Sequence, residues 1–331
     1  ARESDGMNQF DADSDFDGII EDQDRMSEFE NSTMRLQGNY SSQDGAWQHK
    51  ILVSRFESDN AAFADGVQGN VTASTKYQYQ YTGSLSWAQG SQTLSVLVER
   101  EEEDWMQRGE ISWGIYDPNQ DRERDTDSLA IEYRTDISDQ LTLAASGRHD
   151  DNSEFDSAKT FRAEAIYQLS ETTRLRSAVG TAVKNPTFTE RFGFYTNFMG
   201  NPNLMPEEST SWEVGVDRQV MDGEVTLSLT LFDAELENEI DGFVYDPATF
   251  AYTSSNIDGV SERRGGELSA AGNISESLSI SGAYTYTDSS TDDSVREVRR
   301  PRHTASINLG WQAADNLYLN TNVQFTGEQT D

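Results

Sequence analysis

Apolar and polar residues alternate with a period of two through most of this chain, and that pattern constrains the fold more than any other feature. Tyr77, Tyr79, Tyr81, Leu85 and Trp87 share one face of a segment whose other face carries Gln78, Gln80, Thr82, Ser84 and Ser86. Leu94, Val96 and Val98 stand opposite Ser95 and Glu99, and Val225, Leu227, Leu229 and Leu231 stand opposite Glu224, Thr226, Ser228 and Thr230. Ala305, Ile307, Leu309 and Trp311 alternate with Ser306, Asn308 and Gly310, and the same rhythm recurs in 34–40, 129–134 and 317–325. An extended strand sends successive side chains to opposite faces, so each segment has one apolar and one polar side. Roughly 15 segments read this way, and helical periodicity is hard to find.

The polar faces carry Arg, Glu, Gln, Ser and Asn. A dry core between two stacked sheets could not hold them without many unpaired buried groups, whereas a water-filled lumen can. The connections alternate in length. Short turns fall at Ser138–Gln140, Ser170–Thr173, Gln219–Gly223, Asn273–Ser277 and Ala313–Asn316, and long polar excursions at 57–70, 104–124, 185–208, 240–262 and 287–299. Short turns on one rim and long loops on the other are the pattern of an outer-membrane barrel. The expected fold is therefore all-β, an antiparallel transmembrane β-barrel.

Composition agrees. Mean hydropathy is -0.72, and no run approaches the roughly 18 apolar residues of a membrane helix. A barrel strand shows lipid only every second residue, so low hydropathy excludes helical spans and leaves barrels open. The 13 Tyr and 6 Trp suit interfacial girdles; Trp87, Trp311 and Tyr77, Tyr79 and Tyr81 are expected at or near the lipid interface. Asp plus Glu number 59 against 25 Lys plus Arg, a net charge of -34, so the chain repels phosphate backbones and nucleic acid is not an expected partner. There are no cysteines, which removes disulfide and thiolate chemistry. The opening ARESDGMNQF shows no signal-peptide pattern, and the last residues follow a strand-like segment. Both ends read as cuts in a longer protein.

Several ordered motifs resemble the C-terminal barrel of TonB-dependent outer-membrane receptors, most closely the cobalamin receptor branch. The central pair is KNPTF at 184–188 followed by GNPNL-x-PE at 200–207. Around it lie Ser4-Asp5-Gly6, DSDFDG at 13–18, GRHDDNSEF at 147–155, FDAELENEIDGF at 232–243, ERRGGELSAAG at 262–272, YTYTDSS at 284–290 and RRPRH at 299–303. The resemblance implies a barrel of about 22 strands filled by an N-terminal plug, of which this chain holds about 15 strands and no plug. It further implies capture of a scarce nutrient chelate at outer loops, energy from a TonB complex acting through the plug, lipid contact, and location in the outer membrane of a Gram-negative bacterium. Residues 1–31 are expected to form an acidic extracellular loop, and 32–331 the partial barrel.

Asp13 to Asp24 fits much of a calcium loop, with oxygen donors at Asp13, Asp15 and Asp17, Gly18 at the sixth position, Ile20 at the eighth and Asp24 at the twelfth. Glu21 adds a carboxylate, and an unstructured acidic loop is the competing reading. The resemblance favours calcium, because cobalamin receptors order an early loop with it, and it adds Asp5 as a weaker ligand. His49, His149 and His303 have no metal-ligand spacing, and no nucleophile elbow or nucleotide fingerprint appears, so no enzyme is expected. Phe192, Phe194, Tyr195 and Phe198 crowd one long loop with Gly193 and Gly200. Exposed aromatics need something to cover them. Contact with the imported ligand and packing between loops are both consistent with them. Cobalamin, heme and ferric siderophores all remain open, and the rival functions are a calcium-binding surface adhesin and a passive porin-type channel.

Overall fold

A computed structural model describes residues 2–9, 25–111, 117–195, 197–291 and 296–329. The strands are β1 (Arg2–Gln9), β2 (Arg25–Ser41), β3 (Trp47–Ala64), β4 (Val67–Trp87), β5 (Gln92–Arg108), β6 (Gln120–Ser138), β7 (Leu141–Asn152), β8 (Ala158–Ser170) and β9 (Thr173–Lys184). A one-turn helix, α1 (Phe188–Phe192), precedes β10 (Phe194–Tyr195) and β11 (Phe198–Met199). Then come β12 (Glu207–Val220), β13 (Val225–Glu237), β14 (Ile240–Asp246), β15 (Ala251–Asn256), β16 (Val260–Ser275), β17 (Leu278–Ser290), β18 (His303–Ala314) and β19 (Leu317–Thr326). Fifteen strands form one sheet in the order β1 to β9, β12, β13 and β16 to β19, and β10, β11, β15 and β14 form a second sheet of four. Every neighbour in the large sheet pairs antiparallel. β1 and β19 are its two edges, so the barrel wall is an open arc.

The sheet is inside out by the standards of a soluble protein. Leu36, Ile51, Val98 and Val323 are 71%, 58%, 51% and 57% exposed, while Glu99 and Ser128 are buried at 7% and 5%. The accessible surface is 21207 Å², against about 13,600 Å² for a compact monomer of this mass. An open arc exposes both of its faces, and the outer one carries the apolar band that lipid covers. On the opposite face polar groups satisfy one another across strands: Ser84 with Ser95 at 2.9 Å, Ser86 with Thr93 at 3.0 Å, and Asn322 donating to Asn308 at 2.6 Å. The expectation drawn from the polar faces holds for that reason.

The five short turns fall where the alternation breaks, and two further short connections, 42–46 and 88–91, share their rim. The long excursions are more ordered than their polarity suggests. Residues 57–70 are a paired ribbon in which β3 and β4 run past the apolar band to a turn at Asp65-Gly66, with φ of 51° and 71°. A two-residue turn of that kind matches strand twist, and Asp-Gly tolerates it. The acidic start differs likewise: β1 pairs with β2 from Arg2 opposite Thr33 to Gln9 opposite Met26. β2 thus runs straight through residue 31, where a boundary was expected. Residues 10–24 lie outside the described residues.

Candidate functional site

The connection from β9 to β12 does not stand away from the barrel. It folds inward as a strap across the inner face of β4, β5 and β6. Pro186 ends β9's extension, and Thr187 caps α1 by accepting from the Glu190 N–H at 3.2 Å, while Glu190 accepts from the Thr187 N–H at 2.7 Å. This reciprocal box satisfies two otherwise unpaired donors. It aims Phe188 onto Trp105 of β5, with ring centroids 6.0 Å apart, and both residues are buried. Arg124 of β6 lies over Phe188 at 4.9 Å, donates to the Pro186 carbonyl at 2.8 Å and pairs with Glu103 at 2.5 Å.

Gln107 makes the tightest attachment. Its side chain is fully buried; it donates to the Phe194 carbonyl at 2.6 Å and accepts from the Phe194 N–H at 2.8 Å, as a neighbouring strand would. Asn70 adds a bond to the same carbonyl at 3.3 Å. Arg191 is held between the rings of Phe155 and Phe192, 4.7 Å from each centroid, and pairs with Glu154 at 2.9 Å. Beneath the strap lies a cavity of about 330 Å³ lined by Phe56, Asn60, Thr72, Lys76, Glu103 and Thr187 among others.

The NPNL-x-PE motif has a local reason. Asn201 accepts from the Asn203 N–H at 3.0 Å and donates to the Ser254 carbonyl at 3.1 Å, so it both shapes the turn and ties the strap to β15. Asn256 exchanges bonds with the Met205 backbone at 2.9 and 3.0 Å, and Glu207 accepts from the Ile240 N–H at 2.8 Å. Gly200 is required by space, since a Cβ there would meet the Arg191 backbone at 2.6 Å. The β14–β15 hairpin is thereby docked on the strap, with Phe198 opposite Tyr252 in the small sheet.

The four aromatics singled out in the sequence take different positions. The Phe192 ring lies under Arg122 at 4.1 Å as well as under Arg191. Phe194 is fixed by its backbone. Tyr195 is half-buried, and burial pushes its phenol above the ordinary value against the opposing hydrogen bonds with Thr189 and Thr72. Phe198 stacks parallel to Phe243 at 6.3 Å, and Phe243 stacks on Tyr252 at 4.1 Å. Three of the four therefore brace the strap, and Phe198 begins a ring column that continues onto the hairpin. The exposed rings are Phe243, Tyr245 and Phe250, at 61%, 51% and 78%. Sequence reading named the 240–262 excursion but not these residues; the alternate spacing of Phe243 and Tyr245 was the available signal.

Asp5 lies in β1 opposite Glu30, and Asp13, Asp15, Asp17, Glu21 and Asp24 lie outside the described residues. His49 and His303 each bond a tyrosine hydroxyl, Tyr81 at 2.8 Å and Tyr284 at 2.7 Å. Below the strap the inner wall is a charge ladder. Lys76 reaches Glu101 and Glu103 at 2.9 and 3.3 Å, and Arg148 reaches Glu99 and Asp150 at 3.0 and 2.8 Å.

The family profile described as "TonB dependent receptor-like, beta-barrel" matches residues 2–331. The vitamin B12 transporter BtuB of Vibrio vulnificus is 30% identical over 220 residues, 66% of this chain and 33% of that protein. An iron-regulated outer membrane virulence protein of Vibrio cholerae is 26% identical over 213 residues, 58% of this chain and 32% of its own length. Among solved structures, the siderophore receptor PirA of Pseudomonas aeruginosa superposes with a TM-score of 0.73 at 18% identity, covering 91% of this chain and 56% of that one. The alcaligin receptor FauA of Bordetella pertussis gives 0.68 at 14%, covering 92% and 54%. The chain thus spans about a third of the curated relatives it matches, and its similarity to the solved receptors is one of fold. With the family profile matching almost throughout and the wall exposing apolar side chains outward, the chain belongs to the TonB-dependent receptor β-barrel family of the Gram-negative outer membrane.

Proposed function

We propose that this chain is the wall and outer-loop part of a receptor that captures cobalamin or a metal chelate and imports it with TonB-delivered energy. The observation that carries the reading is the ring column Phe198–Phe243–Tyr252, set on inward-leaning loops and flanked by exposed Tyr245 and Phe250. The stacked rings offer flat apolar faces for a ligand to cover. The net charge of -34 favours a ligand that is neutral or cationic over a polyanionic chelate. A calcium ion held by Asp13, Asp15, Asp17, Glu21 and Asp24, with Asp5, would offset part of that charge and order the segment preceding β2.

The test uses the full-length receptor in detergent, titrated separately with cyanocobalamin, haem and a ferric hydroxamate. Replacing Phe243 and Phe250 together by Ser removes about 2 kcal/mol of ring contact, a weakening of roughly 30-fold in Kd. An unchanged Kd for whichever compound binds rejects the aromatic site, and binding of none of the three rejects the ligand class. For calcium, Asp15→Asn with Asp17→Asn abolishes calcium-dependent protection of 10–24 in hydrogen exchange. Equal exchange in parent and variant removes the ion from the reading.

A further inference from the structure

The inner face is chemically divided. From β4 to β9 its inward positions carry rows of ionised groups, Glu99, Glu101 and Glu103 on β5, Arg124 on β6, Arg148 on β7 and Arg176 on β9. Arg124 pairs with Glu103 and Arg148 with Glu99, Arg176 reaches Asp217 of β12 at 3.5 Å, and Gln78 and Gln80 both donate to Glu99, at 2.8 and 3.1 Å. From β17 to β19 the inward positions carry no charged side chain at all: Ser, Thr and Ala on β17, then Thr, Ser, Asn, Gly and Gln on β18, and Tyr, Asn and Gln on β19. Ser281, Asn308 and Asn322 lie side by side in one row across the three strands. Close to the short-turn rim Gly310 has no Cβ, and one there would meet the Tyr318 hydroxyl at 2.1 Å. The strap, meanwhile, roofs the charged sector through Asn70, Trp105, Gln107 and Gln120.

We infer that solute passing through the barrel travels along the neutral β17–β19 sector, and that the charged β4–β9 sector is a fixed wall. The inference rests on the import reading above. A pathway must bind its solute firmly enough to admit it and weakly enough to release it. Short hydroxyl and amide side chains exchange hydrogen bonds with water and solute at little net free energy. Ionised rows do the opposite: they hold complementary charge and repel like charge, and here they are already engaged with each other. Their cross-strand pairs stiffen the wall that anchors the strap, so opening is directed to the side whose inward strand positions hold no charge pair and touch no part of the strap. Charge pairs there, Arg263 and Arg300 with Glu297 and Arg302 with Asp288, are confined to the rim at the β17–β18 connection.

The chain has no cysteine, so single reporters can be placed in the full-length receptor, with any cysteine outside this chain replaced by serine. Ser281→Cys and Asn308→Cys report on the neutral sector, and Gln78→Cys and Glu164→Cys on the charged one. Intact cells are exposed to a membrane-impermeant maleimide of chelate size, with and without an uncoupler. In energised cells the first pair labels at least about tenfold faster than the second, and uncoupling brings the two to within about twofold. Equal labelling of both sectors, faster labelling at Gln78→Cys or Glu164→Cys, or no labelling anywhere overturns the route. Cyanocobalamin uptake by the cysteine-free parent is measured alongside. Absent uptake with the expected labelling rejects that ligand and leaves the route standing, while uptake with equal labelling rejects the route alone.

Discussion

Gln107 is the residue on which the strap's position turns. Its amide sits fully buried against the Phe194 backbone, one bond in each direction, at 2.6 and 2.8 Å. In Gln107→Leu the shape is nearly kept and both bonds go. Asn70 still reaches the Phe194 carbonyl, so the main cost is the Phe194 N–H losing its glutamine acceptor in a buried site, about 1–3 kcal/mol, with about 1 kcal/mol more for the second bond. The total, about 2–4 kcal/mol, falls on docking of the strap and leaves the wall intact, because strap opening is a local event. Strap amides should then exchange roughly 30- to 1,000-fold faster, at about 1.4 kcal/mol per factor of ten. Hydrogen exchange read by mass spectrometry over 186–204 checks this, with peptides from β12 and β13 as internal reference. Trp105 fluorescence should shift to the red as the Phe188 contact opens. Exchange within about threefold of the parent, with Trp105 unmoved, would show that the strap is held elsewhere. Gln107→Glu should fall near the leucine variant, since a carboxylate oxygen would face the Phe194 carbonyl without a proton to donate.

Arg191→Lys, which gives up planar stacking between Phe155 and Phe192, should cost about 1–2 kcal/mol of strap docking, seen in the same exchange window. Around the hairpin turn, hydrogen bonds from the Ala248 N–H and the Thr249 hydroxyl hold the Asp246 carboxyl below its ordinary range. That order is complete above the ordinary carboxyl value of about 4 and is lost as pH falls through the lowered folded value; carbon-detected NMR of the Asp246 carboxyl should give a midpoint below 3.8. A midpoint at or above that value refutes the turn's role. The Tyr195 phenol, pushed up by burial, works in the opposite direction: its contribution is present below the ordinary tyrosine value of about 10 and fades as pH rises through the higher folded value, which ultraviolet titration of tyrosinate should follow. On the wall, Leu229→Arg places a charge in the lipid band and should cost about 2–4 kcal/mol of barrel stability, while Ser228→Arg, turned inward near Asp217, should cost less than about 1 kcal/mol. Urea titration of heat-modifiable gel mobility separates them, and equal losses would contradict the assigned faces.

The wall was legible because period-two alternation reports directly on two-sided strands, and the turns were legible because the alternation breaks there. Four things were not. The 57–70 ribbon reads as a loop because strands above the lipid band have no apolar face to reveal them; only Asp65-Gly66 marks the turn. The aromatic loop reads equally as a ligand surface or as packing between loops, because composition cannot tell a ring facing water from one under an arginine. Phe192, between Arg122 and Arg191, is of the second kind. The hairpin carrying Phe243, Tyr245 and Phe250 reaches the strap through the contact of β15 with β11, which joins residues more than fifty positions apart. The partners of Gln107 lie 87 positions away in sequence, and nothing in its own neighbourhood marks it.

The strap connects the two halves of the mouth mechanically. Its inward end is clamped to β4–β6 by Asn70, Trp105, Gln107 and Gln120, and its return carries Asn201, which holds Ser254 of the hairpin. On the proposed reading, a ligand settling on Phe243 and Phe250 pushes on a body already fixed to the charged wall. The hairpin is held to the strap by hydrogen bonds of Asn201, Asn256 and Glu207, by the Tyr252 N–H on the Asn197 carbonyl, and by one ring stack. The clamp adds a fully buried amide and a stacked Trp–Phe–Arg layer to a similar set of bonds, so yielding is easier at the hairpin. Binding free energy is then available to draw the hairpin further over the mouth while the charged wall stays still. The mouth is thus built with a stiff side and a compliant side, and the compliant hairpin leaves from β13 and returns to β16, next to the neutral strands along which the solute is inferred to pass.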